Sequence, residues 1–383
     1  MRAPSLKLEM GILVEPSPYS VGNTAPPLSQ KRILGMKRNV ILGTAVIGLL
    51  LAVSGCAGTP SAPAADSSED ASAFKVGLVS DSGGFNDRGF NALSLAGLTL
   101  AEDAGVSFTS EARESASDSD LVPNLQYFAQ QGYDLIIAVG FAQAGPVAEV
   151  AADYPDVDFA IVDVATEGDP ALEDLDNVQG ITFKEQEGAY LAGVLVGGLR
   201  ASGFEKFDGD AIGTVGGEKQ PSVDRFIAGF QQGIISQSPD TVLLNGYSQT
   251  FADQDACKQL ANAQLDQGAD AIFAVAGGCG LGALDAADQA GAWGIGVDAD
   301  QAFLGDFILT SVVKKVDVAV STVLKSFADG SFEGGTDVLY GIENDGVGIP
   351  AMSDAVPADV QAAVEAARAG IIDGSVVIDL TIK

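Results

Sequence analysis

Three aspartates stand directly after short apolar segments. Asp81 follows VGLVS, Asp163 closes FAIVD and Asp298 closes GIGVD. If these segments are strands of parallel sheets, their carboxyl ends face the crevice in which such sheets bind ligands. Carboxylates that converge there would accept hydrogen bonds from a neutral ligand rich in O–H and N–H groups. Two alternatives stay open, namely capping of the following helix by each aspartate and an oxygen-only cation site, such as one for calcium.

Two phenylalanines lie in polar loops near such strand ends. Phe90 is close to the end of VSDSGGFNDRGFN (79–91), and Phe251 lies in GYSQTFADQD (246–255). Each ring either covers the core or presents a face to a ligand, and two ring faces could stack on both sides of a planar base. Lys314 follows the apolar run ILTSVV and is either a surface lysine or one that reaches back to a ligand hydroxyl.

The charge of the first loop argues against a phosphate ligand. Segment 79–91 has two acids, Asp81 and Asp87, but only one base, Arg88. Its glycines would let a ligand approach the backbone closely. Because the two carboxylates would repel a phosphate, we expect this loop to hold a neutral, polar group.

The composition speaks against several classes of function. The chain has no histidine, so a Ser-His-Asp triad is excluded and the commonest metal ligand is missing. Its 20 basic against 52 acidic residues argue against nucleic-acid binding. The glycine-rich stretches GTVGG and GGCGLG lack the frame of a dinucleotide fingerprint, and no P-loop is present. We therefore expect a protein without enzyme activity, catalytic residues, metal or cofactor. The alternative from a different functional class is a secreted α/β enzyme.

The elements that position these residues alternate between strand and helix. Apolar runs predict nine strands, at 74–80, 134–140, 158–163, 177–183, 211–217, 241–247, 271–277, 293–298 and 307–313. Helical patterns lie between them, for example at 185–200, 222–235 and 253–268. Repeated strand–helix–strand units predict an α/β protein with parallel sheets, and the length favours two doubly wound domains over one sheet.

The N-terminal region has the pattern of a bacterial lipoprotein signal. MKRNVILGTAVIGLLLAVSGC (36–56) joins a basic start, an apolar stretch and a small-small-Cys ending. We therefore expect a signal peptide over 36–55, lipid on Cys56 and a flexible tether over 56–73, with an uncleaved membrane anchor as the alternative. Residues 1–35 would be a non-native upstream extension. Outside the membrane, Cys257 and Cys279 either pair or stay free.

Several motifs occur in one order over roughly 74–383: DSGGFNDRGFN, DFAIVD, FKEQEGAYLAG, VGGEKQPSVDRFIAGFQQG, GVDADQ and LTSVVKKVDVAV. Together they resemble the BMP (basic membrane protein) family of ABC-transporter substrate-binding lipoproteins, which includes purine nucleoside receptors. The resemblance implies a type I periplasmic-binding-protein fold with the ligand between two lobes. We expect one lobe over 74–180 with 305–330 and the other over 181–304 with 331–383.

The resemblance also implies roles for individual residues in the binding of a purine nucleoside. The base would stack between Phe90 and Phe251, and the ribose hydroxyls would bind Asp298 and Lys314. The side chains expected at the edge of the base are those of Asp81, Asp87, Asn91 and Asp163. The backbone of Gly277 and Gly278 would lie against the sugar. This sequence has Gly89 where serine is more usual, which leaves the preferred base open.

The expected partners follow from the same resemblance. They are a purine nucleoside (inosine, guanosine or adenosine), the permease of an ABC importer, and the membrane through the N-terminal lipid. We expect a monomer on the extracytoplasmic face of the cell membrane, without nucleic acid. A sugar or furanose signal in the same cleft is the alternative ligand.

Overall fold

The computed structural model describes residues 73–383 of the chain. The upstream extension, the signal peptide, Cys56 and the tether up to residue 72 lie outside these residues. Within 73–383, no helix is both long enough and apolar enough to cross a membrane.

The described residues form two six-stranded sheets with helices between the strands. The strands are β1 (Phe74–Val79), β2 (Phe108–Arg113), β3 (Leu135–Val139), β4 (Asp158–Val162), β5 (Val178–Phe183), β6 (Ala211–Gly216), β7 (Val242–Tyr247), β8 (Ala269–Val275), β9 (Trp293–Asp298), β10 (Ile308–Lys314), β11 (Asp337–Tyr340) and β12 (Val347–Gly348). The helices are α1 (Phe90–Asp103), α2 (Leu121–Gln130), α3 (Ala144–Asp153), α4 (Glu185–Ala201), α5 (Pro221–Gln237), α6 (Gln254–Leu265), α7 (Gly277–Ala290), α8 (Val316–Asp329) and α9 (Ala358–Ile372).

The first sheet has the order β11-β5-β4-β3-β1-β2, and every pairing in it is parallel. The second has the order β12-β10-β9-β8-β6-β7, with β12 antiparallel to β10 and the other pairings parallel. Side chains alternate between cores on the two faces of a sheet. In β3, for example, Leu135 and Ile137 join one core and Ile136 joins another. Burial on both faces explains why these strands are near-continuous apolar runs.

All nine predicted strands are confirmed, and three further strands were not predicted. β2 has the sequence FTSEAR and lies at the edge of the first sheet, where most of its side chains are exposed or half-buried. β11 and β12 have four and two residues and also lie at sheet edges. An edge strand buries less side-chain surface, so its sequence needs fewer apolar residues.

The sheets divide the chain differently from the expected lobe boundaries. β5 extends the first sheet to Phe183, and β10 lies in the second sheet beside β9, although 305–330 was expected in the first lobe. β11 pairs with β5 in the first sheet, although 331–383 was expected in the second lobe. Of the segment 305–330, α8 packs against α1 in the first-lobe core. The chain thus crosses between the two sheets three times. The sheet that a strand joins is set by its backbone pairing and not by its apolar pattern.

Helix α4 packs into the cores of both lobes. Leu191 and Val194 belong to the core of the first sheet, whereas Ala189 and Ala192 belong to that of the second. α4 lies close against α5 along much of its length, and a Cβ added to Gly193 would overlap the α5 backbone. Glu185, the first residue of α4, is therefore held between the two lobes.

The two cysteines of the second lobe are joined. Cys257 of α6 and Cys279 of α7 form a disulfide with a Cα–Cα distance of 5.6 Å. Both side chains are buried, so the pairing that the sequence left open ties two neighbouring helices together.

A candidate ligand cleft between the two lobes

All ten residues predicted to contact a ligand line one cavity between the two sheets. They are Asp81, Asp87, Phe90, Asn91, Asp163, Phe251, Gly277, Gly278, Asp298 and Lys314. This cavity, called the slot below, has a volume of about 40 Å³.

Asp87 shapes the first loop by accepting hydrogen bonds at the start of α1. Its carboxylate accepts from the backbone N–H groups of Gly89 (3.1 Å), Asn91 (2.8 Å) and Ala92 (3.0 Å). The Asn91 side-chain amide donates a further bond of 3.1 Å to the same carboxylate. Most lone pairs of the Asp87 carboxylate are therefore already used within this loop and the first turn of α1.

Asp81 is held by the same loop, but its surroundings disfavour the charged form of its carboxylate. Its Oδ1 accepts hydrogen bonds from the Gly83 N–H and from Asn91 Nδ2, both at 2.7 Å. Burial raises the pKa of Asp81 to about 6, and the neighbouring carboxylates of Asp87 and Asp163 act in the same direction. A ligand N–H group facing Asp81 would compensate this loss of hydration.

Lys314 stands at the centre of a buried ion network. Its Nζ lies 2.5 Å from Asp163 Oδ1 and 3.0 Å from Glu185 Oε1, and the lysine is 1% exposed. Glu185 is also paired with Arg225, whose Nε lies 2.5 Å from Oε2. Burial alone would lower the pKa of Lys314, but the surrounding carboxylates outweigh it and raise that pKa. The lysine is therefore charged and already paired.

Aromatic rings enclose the same ammonium group. Lys314 Nζ lies 5.0 Å from the centre of the Phe90 ring, 4.8 Å from that of Phe183 and 5.7 Å from that of Phe226. Each distance is within the range of a cation–π contact. The ammonium group thus helps to fix the ring of Phe90 in the cavity wall.

Asp298 differs from the other carboxylates because it has no hydrogen-bond partner within residues 73–383. It is 6% exposed, and burial raises its pKa to about 7, with Asp87 and Asp163 adding to the effect and Lys314 opposing it. Its backbone φ is 64°, and that of Asp163 is 72°. Left-handed backbone in residues other than glycine is uncommon, and it occurs preferentially at ligand sites. This conformation ends each strand and turns the carboxylate toward the slot.

The first-lobe loop reaches Asp298 across the cleft. A Cβ added to Gly89 would lie 3.4 Å from Asp298 Oδ2. A serine at this position would place its hydroxyl close to that carboxylate. Gly89 thus leaves Asp298 free for other donors.

Phe251 is held in place by contacts with glycines and by a hydrogen bond from α7. A Cβ on Gly217 would overlap the Phe251 ring, so only glycine leaves the ring its place. The backbone oxygen of Phe251 accepts a hydrogen bond of 2.8 Å from the N–H of Cys279. Gly277 has φ of 52° and lies against Phe251 where the chain enters α7. These contacts hold the second ring at the cavity wall.

Sequence reasoning missed the contribution of α5 and of Glu185. Gln220, Ser222, Val223 and Phe226 also line the cavity. The glycine-rich GGEKQPS after a predicted strand was the available signal, because such a loop ends where ligands bind. Glu185 gave no such signal, since its position behind Lys314 depends on the packing of α4. Within 73–383, no three side chains of the metal-binding types come together as a cation site.

Comparisons with known proteins agree with this geometry. The family model described as an ABC transporter substrate-binding protein, PnrA-like, matches residues 74–380. The chain belongs to the Bmp family. As a Bmp protein it is the substrate-binding component of an ABC transporter, and the expected family and fold are confirmed.

Named relatives of this Bmp protein come from several bacteria and archaea. It is 31% identical to the ABC transporter nucleoside-binding protein BmpA of Lactococcus lactis, over 90% of this chain and 99% of the relative. It is 31% identical to a CD4+ T-cell-stimulating antigen of Listeria innocua, over 91% of this chain and 98% of the relative. A solved ABC transporter solute-binding protein of Aeropyrum pernix has a TM-score of 0.72 and 26% identity, covering 81% of this chain and 94% of that one.

Proposed function

We propose that this Bmp protein is a lipid-anchored extracytoplasmic receptor that binds purine nucleosides between its lobes and delivers them to an ABC permease. One observation carries the choice of ligand. The slot combines two phenylalanine rings with a buried Asp298 carboxylate that has no hydrogen-bond partner in 73–383. A nucleoside supplies both a planar base for the rings and vicinal hydroxyls for the carboxylate.

The charges of the cavity favour nucleosides over nucleotides. Four aspartates line it, whereas its one lysine, Lys314, is already paired with Asp163 and Glu185. A phosphate would bring further negative charge into a buried site without a free cation among the residues described. We therefore assign neutral ligands to this cleft.

The names of relatives support the same proposal. The Lactococcus relative is named as nucleoside-binding, and a Pyrococcus abyssi relative that is 33% identical over 326 residues is named as a lipoprotein. The VSGC sequence that ends at Cys56 supports the lipid anchor in this chain. With the cleft formed inside one chain, we propose a monomeric receptor.

Calorimetry on ligand-stripped, refolded protein tests this function. We expect inosine, guanosine or adenosine to bind with one site per chain, and free ribose and the 5′-monophosphates to bind at least about 100-fold more weakly. Binding of furanose sugars without any binding of nucleosides would favour the alternative ligand. Chromatography of inosine after long incubation with the protein tests the enzyme alternative, because release of hypoxanthine would contradict a receptor that only binds.

A further inference from the structure

The wall that α5 contributes to the slot carries hydrogen-bond donors without acceptors. Ser222 lines the cavity and is 3% exposed, yet its hydroxyl makes no hydrogen bond to any residue in 73–383. The backbone N–H groups of Ser222 and Val223 also lack acceptors in that part of the chain. The first turn of a helix leaves such groups free, and both residues line the slot.

This wall has the opposite polarity to the wall made by the first lobe. Gln220 precedes α5, lines the cavity and likewise makes no side-chain hydrogen bond within 73–383. Across the slot, the carboxylates of Asp81 and Asp163 offer acceptors. The positive end of the α5 dipole adds to the donors on its side. A ligand that satisfies both walls must carry donors on one part and a strong acceptor on another.

We propose that the N-terminal turn of α5 binds a carbonyl oxygen on the base of the ligand, so that the receptor selects 6-oxopurine nucleosides over 6-aminopurine nucleosides. This inference rests on the proposed nucleoside function. The 6-oxo group of inosine or guanosine accepts hydrogen bonds from this turn. The 6-amino group of adenosine is itself a donor, so it would face the donors of the turn without forming a hydrogen bond. A buried donor that stays unpaired lowers affinity, so the same turn disfavours adenosine.

The test compares inosine, adenosine and the purine riboside without a 6-substituent on the wild type and on Ser222→Ala. We expect the wild type to bind inosine about tenfold or more tightly than either other ligand. Ser222→Ala should weaken inosine binding by about threefold to tenfold and leave the purine riboside within about twofold. The ligand without an oxo group thus separates a lost hydrogen bond from a general disturbance of the site.

Two variants serve as controls. Ser222→Thr keeps the hydroxyl and should retain the preference for inosine. Ser236→Ala removes an exposed hydroxyl at the far end of the same helix and should change nothing. Equal affinities of the wild type for inosine and adenosine, or an equal loss for all ligands in Ser222→Ala, would overturn the inference and leave the nucleoside function standing. Failure of every nucleoside to bind would overturn both.

Discussion

Lys314 and Asp163 form a buried ion pair between the two lobes, with 2.5 Å between Nζ and Oδ1. Lys314 ends β10 in the second sheet, and Asp163 follows β4 in the first. Glu185, at the start of the helix shared by both cores, holds the other side of the ammonium group at 3.0 Å. The relative position of the lobes is therefore linked to the same side chains that line the slot.

Removal of the central lysine should destabilise the protein strongly. Lys314→Met leaves Asp163 buried without a cation and leaves Glu185 paired with Arg225 alone, so we expect a loss of about 3–5 kcal/mol in the free energy of unfolding. Lys258→Met breaks the pair with Asp285, which is half exposed, and should cost about 0–1 kcal/mol. Urea unfolding followed by circular dichroism measures both variants. Similar small losses in the two would contradict a structural role for the buried network.

Loss of either stacking ring should weaken every nucleoside. Phe90→Ala or Phe251→Ala removes stacking worth about 1–3 kcal/mol per base, so affinity should fall about tenfold to 100-fold in calorimetry. Phe141→Ala, at an exposed ring outside the cavity lining, is the matched control and should bind normally. If neither cavity variant changes affinity, the stacked base is wrong.

Asp298→Ala should act on the sugar rather than on the base. It removes hydrogen bonds to a charged group worth about 1.5–3 kcal/mol, and only ligands with ribose hydroxyls make them. We therefore expect a loss of about tenfold to 100-fold for inosine and little change for 2′,3′-dideoxyinosine. Asp300→Ala, at an exposed acid two residues away, is the control. An equal loss for both ligands would refute the assignment of Asp298 to the ribose.

Asp298 should also make binding depend on pH. Its pKa in the folded, ligand-free protein is about 7, raised by burial, whereas its ordinary value is 3.8. Ribose hydroxyls donate to the charged form, so affinity for inosine should fall by several-fold to about tenfold from about pH 8 to about pH 6. The dideoxy ligand and the Asp298→Asn variant should have a flatter profile. Identical profiles for the wild type and Asp298→Asn would exclude this group as the source.

The same pKa predicts the opposite trend for the stability of the ligand-free protein. Because the folded state holds the Asp298 proton more tightly than the unfolded state, its stability should rise as the pH falls through about 7. Above that pH the cost of the buried charge is present in full. Unfolding of wild type and Asp298→Asn in parallel isolates this contribution, since other groups affect both alike. A pH-independent difference between the two would contradict the raised pKa.

Processing at Cys56 can be tested by mass spectrometry. The signal pattern over 36–56 predicts that the mature chain begins at Cys56 and carries lipid. Intact mass of membrane-extracted protein should show an acylated chain without residues 1–55, and Cys56→Ala should release the protein from the membrane fraction. A variant that stays equally bound would favour the uncleaved anchor.

The sequence by itself determined nine of the twelve strands and the polar groups at the ends of several of them. Runs such as VGLVS and GIGVD are buried on both faces, and this burial requires the apolar pattern from which β1 and β9 were predicted. The carboxyl ends of parallel strands share one edge, so Asp81 and Asp163 lie at the same edge of the first sheet, whereas Asp298 ends β9 in the second sheet. The packing of the two lobes brings these two edges together at one cavity.

Only the tertiary structure decided which sheet the last strands join and which side chains contact the residues that line the cavity. The sequences of β10 and β11 do not indicate which of the two sheets each strand joins, because the backbone hydrogen bonds that pair strands do not depend on the side chains. The ion pairs of Glu185 depend on the packing of α4 against α5, and the free hydroxyl of Ser222 depends on the direction in which α5 begins. These are contacts between residues far apart in the chain, and no local pattern records them.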